Sequence, residues 1–231
     1  MLELAAGPGD TGFLAAELIA PGGTLISSDA VEQMVQQARA RAAELGIANV
    51  EFRTIEAEWI DLPAAGLDGV LARWAYMLLA DPATALGETR RVLRPGGRVA
   101  LAAWADPQEN PWASAPTAEL VAIGAIEEPD LDAPNMFAFR DSQRIRELLE
   151  DAGFTDIAVD QVPIVFRFAS LDDWWDTQLD ISTSLASSVG TLTPAQRDDL
   201  RDAIDARLAP YVADDGSVAL PGLTHVAAAS A

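Results

Sequence analysis

The chain of 231 residues has no cysteine. That excludes a disulfide framework, a thiolate nucleophile and Cys-ligated zinc or iron–sulfur centres. It has one histidine, His225, which removes His-pair metal sites and most triad chemistry, so no metal is expected. It has no lysine: all 15 basic residues are arginine, against 36 acids, for a net charge of −21. A field of that sign repels phosphate backbones. The one grouping of bases, Arg90, Arg91 and Arg94, falls on a single helix end, so no nucleic-acid partner is expected. Arginine without lysine fits a GC-rich coding sequence, and the acid excess also fits adaptation to high salt; stability in molar salt separates the two. No apolar run approaches the length of a membrane span. Met1 opens onto Leu2-Glu3-Leu4 without the charged n-region of a signal peptide, and a cytoplasmic location is expected.

What is present is enough apolar content for a core, 50% of residues, with only 22% charged. Apolar runs alternate with helical patterns, which predicts a parallel sheet covered by helices. Strands are expected at 2–5, 24–28, 50–55, 67–72, 98–104, 157–168 and 223–229, the sixth interrupted at Pro163 and the seventh following a Pro221-Gly222 turn. Helices are expected at 11–20 and 31–45, around Leu86 and Leu93, briefly at 118–126, at 142–152 and 171–185, and from Thr193. Thr193-Pro194 with Gln196 carries the signature of a capping box. The reading is one α/β domain over 1–231. Its cofactor-binding half is 1–105, with insertions at 106–140 and 170–215 over an acceptor site.

The segment Glu3-Leu4-Ala5-Ala6-Gly7-Pro8-Gly9-Asp10-Thr11-Gly12 carries the chemistry. Gly7-x-Gly9-x-x-Gly12 between strand and helix fits a dinucleotide fingerprint, and it also fits a plain tight turn. Glu3 separates the readings. An acid inside a buried parallel strand is costly without a partner; a pyrophosphate has no use for it, whereas a cationic ligand does. Glu-x-Ala-x-Gly-x-Gly resembles the first motif of class I S-adenosylmethionine-dependent methyltransferases, with Ala5 in place of the usual first glycine.

The resemblance continues in order along the chain. Asp29 stands 20 residues after Gly9, where the family's acid takes the ribose hydroxyls; Asp29 and Glu32 also have the spacing of a capping box. Glu56-Ala57 follows the third strand, where the family usually has Asp-Ala at the adenine edge. Ala30, Val31 and Met34 are positioned to pack on adenine, Met34 more as helix core. Arg94-Pro95-Gly96-Gly97 resembles the family's turn into its fifth strand. Asn110-Pro111-Trp112 and Leu220-Pro221-Gly222 resemble a small-molecule subgroup near the quinone-biosynthesis, type 11-like C-methyltransferases.

The resemblance implies a Rossmann-like, three-layer α-β-α sandwich with a seven-stranded, mostly parallel sheet. The implied order is 3-2-1-4-5-7-6, with the last strand antiparallel. It implies S-adenosylmethionine as cofactor, held by Glu3, Ala5, Gly7, Gly9, Asp29, Ala30, Glu56, Ala57 and Arg73. The implied acceptor is a small apolar or aromatic molecule. The family also has a helical segment before the first strand, so the N-terminus reads as truncated and some self-association is expected. Alternatives are a cofactor-binding but inactive relative and, on the Gly motif alone, a dinucleotide-dependent oxidoreductase. No catalytic residue is fixed. His225 and Tyr76 are candidates for the base, with strand or core packing as the competing reading. Arg73, Trp74, Tyr76, Trp104 and Asp106 lie where the strands end; Trp174, Trp175, Phe166 and Phe168 would line a lid or fill a core.

Overall fold

The computed structural model describes all residues, 1–231. Seven strands form one sheet: β1 Leu2–Glu3, β2 Leu25–Asp29, β3 Val50–Thr54, β4 Leu67–Arg73, β5 Leu93–Trp104, β6 Thr155–Phe168 and β7 Val218–Ser230. Their order is β3-β2-β1-β4-β5-β7-β6, as the resemblance implies. β1 to β5 pair in parallel. β7 runs the other way: the Ala105 N–H bonds to Leu223 O at the end of β5, and the Gly96 N–H bonds to Ala231 O at its start. Eight helices accompany the strands: α1 Asp10–Ile19, α2 Glu32–Leu45, α3 Pro82–Val92, α4 Pro111–Ala122, α5 Ser142–Asp151, α6 Leu171–Ile181, α7 Thr183–Gly190 and α8 Pro194–Leu208. None is long and apolar enough to cross a membrane.

The chain gathers into two compact units. The first is residues 1–104, 132–161 and 225–231; the second is 105–131 and 162–224. In the first, α1 and α2 pack on β2, with Phe13, Ala38 and Ala42 closing against Ile47, Val50 and Phe52. α3 packs on β5 and on α5. The second unit has its own core, centred on Trp174, Leu200, Ile204, Leu208 and Leu220.

Several boundaries differ from the sequence reading for identifiable reasons. β5 begins at Leu93 rather than Arg98, because Leu67 pairs with Leu93 and Gly69 with Arg98; Pro95-Gly96-Gly97 is an excursion inside the pairing. β7 runs through Pro221-Gly222 instead of starting after a turn. Just past Pro221 the amide of Asn110 holds the strand: Asn110 Oδ1 accepts the Leu223 N–H at 3.0 Å and Nδ2 donates to Leu223 O at 3.1 Å. A Cβ on Gly222 would lie 2.9 Å from the Phe166 ring and 3.1 Å from Trp112 Nε1, so only glycine fits there. β6 is continuous through Pro163, which an edge strand tolerates.

The helix expected at 118–126 is α4, which starts earlier with Pro111 at its first position. Pro116, inside it, cannot donate to Trp112 O. The indole N–H of Trp174 takes that carbonyl at 3.0 Å. The helix expected at 171–185 is two helices, α6 and α7, divided at Ser182, whose Oγ accepts the Leu185 N–H. The capping box of Thr193 and Gln196 forms as expected.

Asn110 is fully buried, and besides Leu223 it bonds Ala105 O, Asp106 O and Trp112 Nε1. Asn110→Ala removes the partner of the buried Leu223 N–H together with the other bonds of this amide, and is expected to lower stability by about 3 kcal/mol, measured by urea unfolding.

Candidate functional site

Register places three charged residues together. Glu3 of β1 lies opposite Ser27 of β2 and Leu71 of β4. Side chains alternate along a strand, so Asp29 and Arg73, each two residues further on, share Glu3's face of the sheet. Asp29, Glu3 and Arg73 therefore stand in a row across the carboxyl ends of adjacent parallel strands, the place where such sheets bind ligands. The helix α1 begins above them, with its unfilled N–H groups.

Glu3 is 2% exposed, and its Oε2 makes no hydrogen bond. Gly12 makes room for it, since a Cβ there would lie 1.9 Å from Oε2. Burial is the largest influence on this carboxyl and pushes its pKa up from 4.5 to about 7. The Gly12 N–H and the Arg73 guanidinium pull it down, while the charges of Asp10 and Asp29 raise it. Near neutral pH the group is poised between its two forms, in a place that rewards an added cation.

The loop between β1 and α1 has an unusual backbone. Ala5, Gly7 and Gly9 have φ of 50°, 53° and 90°. Ala5 occupies the left-handed region that favours glycine. A Cβ on Gly9 would meet the Phe13 ring at 2.4 Å. Asp29 pins the loop: its Oδ2 accepts the Gly7 N–H at 3.0 Å and its Oδ1 accepts the Val31 N–H at 3.0 Å. The capping box expected from Asp29 and Glu32 does not form. Val31 stands at the helix start without a side-chain cap, and the Glu32 carboxylate instead accepts from Thr54 and Gln36.

One clamping residue, Arg41, escaped the sequence reading. Arg41 of α2 donates to Pro8 O at 3.1 Å and pairs with Asp10, and its guanidinium lies over the Phe13 ring. Asp10 also faces Arg73, at 3.6 Å. Arg41 is 31 positions from Asp10, and no local pattern signals the pairing.

Beyond β3, the Ile55 N–H bonds to Asp29 O, and a tight turn at Glu56–Trp59 follows. This ties Glu56, which is exposed, and Ala57, half-buried, to the Asp29 corner. Ala30 is exposed; Met34 is half-buried. After β4, Trp74 has φ of 57° and donates its N–H to Ala102 O. Its ring stacks on Trp104 with centroids 4.2 Å apart.

The two candidate bases are built into the core of the first unit. Tyr76 is buried, and its hydroxyl lies 2.6 Å from Thr89 Oγ1; burial pushes its pKa up. His225 is buried with Nε2 2.9 Å from Arg140 O, which holds a proton on Nε2. In the second unit, Trp174 is buried in the core cluster, with Trp175, Phe166 and Phe168 half-buried against it, and Asp106 caps a short turn at Gln108.

Because the folded pKa of Glu3 lies above its unfolded value, the unliganded protein loses stability as pH rises from 4.5 through about 7. Glu3→Gln removes the charge and is expected to raise stability at pH 8 by on the order of 3 kcal/mol, with little change at pH 4.5. Urea unfolding at the two pH values checks both.

The chain also resembles known proteins along its sequence and in its fold. The methyltransferase domain family matches residues 1–153. The arsenite methyltransferase of Halobacterium salinarum is 28% identical over 199 residues, covering 86% of this chain and 47% of that protein. The ubiquinone/menaquinone biosynthesis C-methyltransferase of Escherichia coli is 28% identical over 167 residues, covering 68% and 66%. The chain spans about half the length of the first curated relatives it matches. In fold it is similar to the YcgJ protein from Bacillus subtilis, with a TM-score of 0.62 at 17% identity over 99% of this chain and 90% of the other. On the match across its first 153 residues, the chain belongs to the methyltransferase domain family.

Proposed function

We propose that this chain is a cytoplasmic methyltransferase that binds S-adenosylmethionine at the carboxyl ends of β1, β2 and β4. In this reading it transfers the methyl group to a small apolar or aromatic acceptor. The observation that carries the reading is Glu3, a buried carboxyl with one oxygen left without a hydrogen bond, seated against the first turn of α1. A dinucleotide would bring its pyrophosphate to that same helix end, where Glu3 would repel it. A ligand carrying a sulfonium and an ammonium meets a carboxylate there instead.

The residues present fit this cofactor. Glu3 faces its positive centre. Asp29 spends one lone pair on each oxygen on backbone N–H groups and keeps acceptor capacity for two ribose hydroxyls. Ala30 and Ala57 offer small side chains against the adenine, with Glu56 at its edge. Ala5, Gly7 and Gly9 let the backbone approach closely, and Arg73 completes the row. When bound, the cofactor supplies an electrophilic methyl group. The protein's part is to hold an acceptor in line with it, and such positioning alone lowers a barrier substantially. The arsenite and quinone-pathway relatives support a small-molecule acceptor.

S-adenosylhomocysteine is expected to raise the melting temperature, because it binds only the folded chain, whereas NAD and NADP leave it unchanged. Stabilisation by NAD alone would overturn the reading. Asp29→Ala is expected to weaken S-adenosylhomocysteine binding by about 1.5–3 kcal/mol, read by calorimetry. Unchanged affinity would reduce Asp29 to a loop pin.

A further inference from the structure

We propose that Arg41 is a positioning residue for the cofactor: acting through the loop between β1 and α1, it holds that loop in its binding shape, and its ion pair with Asp10 makes cofactor affinity fall as salt concentration rises. This rests on the cofactor reading above and adds to it a residue on a neighbouring helix and a response to the ionic medium.

The loop needs support from outside. Ala5, Gly7 and Gly9 all have positive φ, and strained backbone of this kind persists only where its surroundings enforce it. Asp29 holds one point, the Gly7 N–H, and within the loop the Gly9 N–H closes on Ala6 O. The stretch from Pro8 to Asp10 is held by Arg41, whose guanidinium donates to Pro8 O at 3.1 Å and pairs with Asp10. The other base near Asp10, Arg73, stands further off at 3.6 Å. The Arg41 guanidinium also lies over the Phe13 ring, 5.9 Å from its centroid, and Phe13 is the residue that fills the space beside Gly9. One side chain therefore touches a loop carbonyl, the first residue of α1 and the ring packed against the loop.

Arg41 is itself firmly based. It stands on α2 between Ala38 and Ala42, which are buried and close against Phe13. α2 begins beside Asp29, which accepts the Val31 N–H, and carries Arg41 about two and a half turns further on. Arg41 also decides where Asp10 points. Asp10 lies in the first turn of α1, where unfilled N–H groups attract carboxylates, yet no side chain caps that end. Pairing with Arg41 draws the Asp10 carboxylate toward α2 and keeps it off those N–H groups. It also offsets a charge that opposes the ionisation of Glu3.

The pair is open to counterions, since the side chains of Arg41 and Asp10 are 41% and 50% exposed. The Debye length falls from about 10 Å at 0.1 M salt to about 3 Å at 1 M, and an exposed pair weakens over that range. S-adenosylhomocysteine carries one positive and one negative charge near neutral pH, so the chain's net charge of −21 adds little salt dependence of its own.

The test is titration calorimetry with S-adenosylhomocysteine at neutral pH, in about 0.1 M and about 1 M potassium chloride. The wild type is expected to bind about two- to threefold more weakly at the higher salt. Arg41→Met should bind about five- to tenfold more weakly than the wild type at the lower salt, and should show no further loss at the higher. Arg41→Lys, which keeps a charge within reach of Asp10, should recover part of the affinity and part of the salt dependence. Asp10→Asn should lose the salt dependence, and the double variant should bind no more weakly than Arg41→Met. The midpoint of urea unfolding of Arg41→Met should stay close to that of the wild type, because an exposed pair adds little to stability. Unchanged affinity in Arg41→Met overturns the proposal, as does a salt dependence that Arg41→Met shares with the wild type. A loss of affinity matched by an equal loss of stability also overturns it, because that is what a purely structural role would produce. Failure of the wild type to bind S-adenosylhomocysteine overturns the cofactor reading, and this inference with it.

Discussion

A carboxyl group buried in the first strand sets the terms for the first unit. Glu3 has water removed from it and no hydrogen bond on one oxygen, an arrangement that opposes folding once the group ionises. Around it the sequence gives up side-chain volume and backbone comfort. Gly12 has no Cβ because the carboxyl occupies its place, and the preceding loop holds three residues at positive φ, one of them alanine. Such accumulations of strain and unpaired polarity mark ligand sites more often than structural cores.

The surrounding residues keep this arrangement rigid. Asp29 reaches across from β2 to the Gly7 N–H, and Arg41 reaches from α2 to Pro8 and Asp10. Phe13 fills the space above Gly9. Each contact fixes a different point of the same short loop, so its N–H groups and the Glu3 carboxyl stay preorganised. Tyr76 and His225 are also anchored inside the first unit, Tyr76 to Thr89 and His225 to Arg140 O.

Much of this was legible in the residues and some was not. Glu3, Gly7, Gly9, Gly12 and Asp29 are close in sequence or at a characteristic spacing, and the sheet order came from the family resemblance that these residues carry. The failures share a physical cause, which is that long-range pairing overrode local signals. Pro221-Gly222 looks like a turn until Asn110, 113 positions before Leu223, holds the strand through that residue's N–H and carbonyl. Pro116 looks like a helix breaker until Trp174 takes the carbonyl it frees. The capping box at Asp29 lost to a competing bond from the Gly7 N–H. The Arg41–Asp10 clamp has no local signature at all, since both residues are ordinary surface types on separate helices.

The account stands on Glu3 being kept buried for a cationic ligand, and proton release reports on that directly. With its pKa near 7 in the unliganded protein, Glu3 carries a proton in most molecules at pH 6.5, and a bound cation should expel it. Calorimetric titration of the wild type with S-adenosylmethionine at pH 6.5, repeated in buffers of different ionisation enthalpy, should show release of the greater part of one proton per ligand bound. Glu3→Gln should show none. Binding by the wild type without proton release, or the same release from Glu3→Gln, would contradict the account.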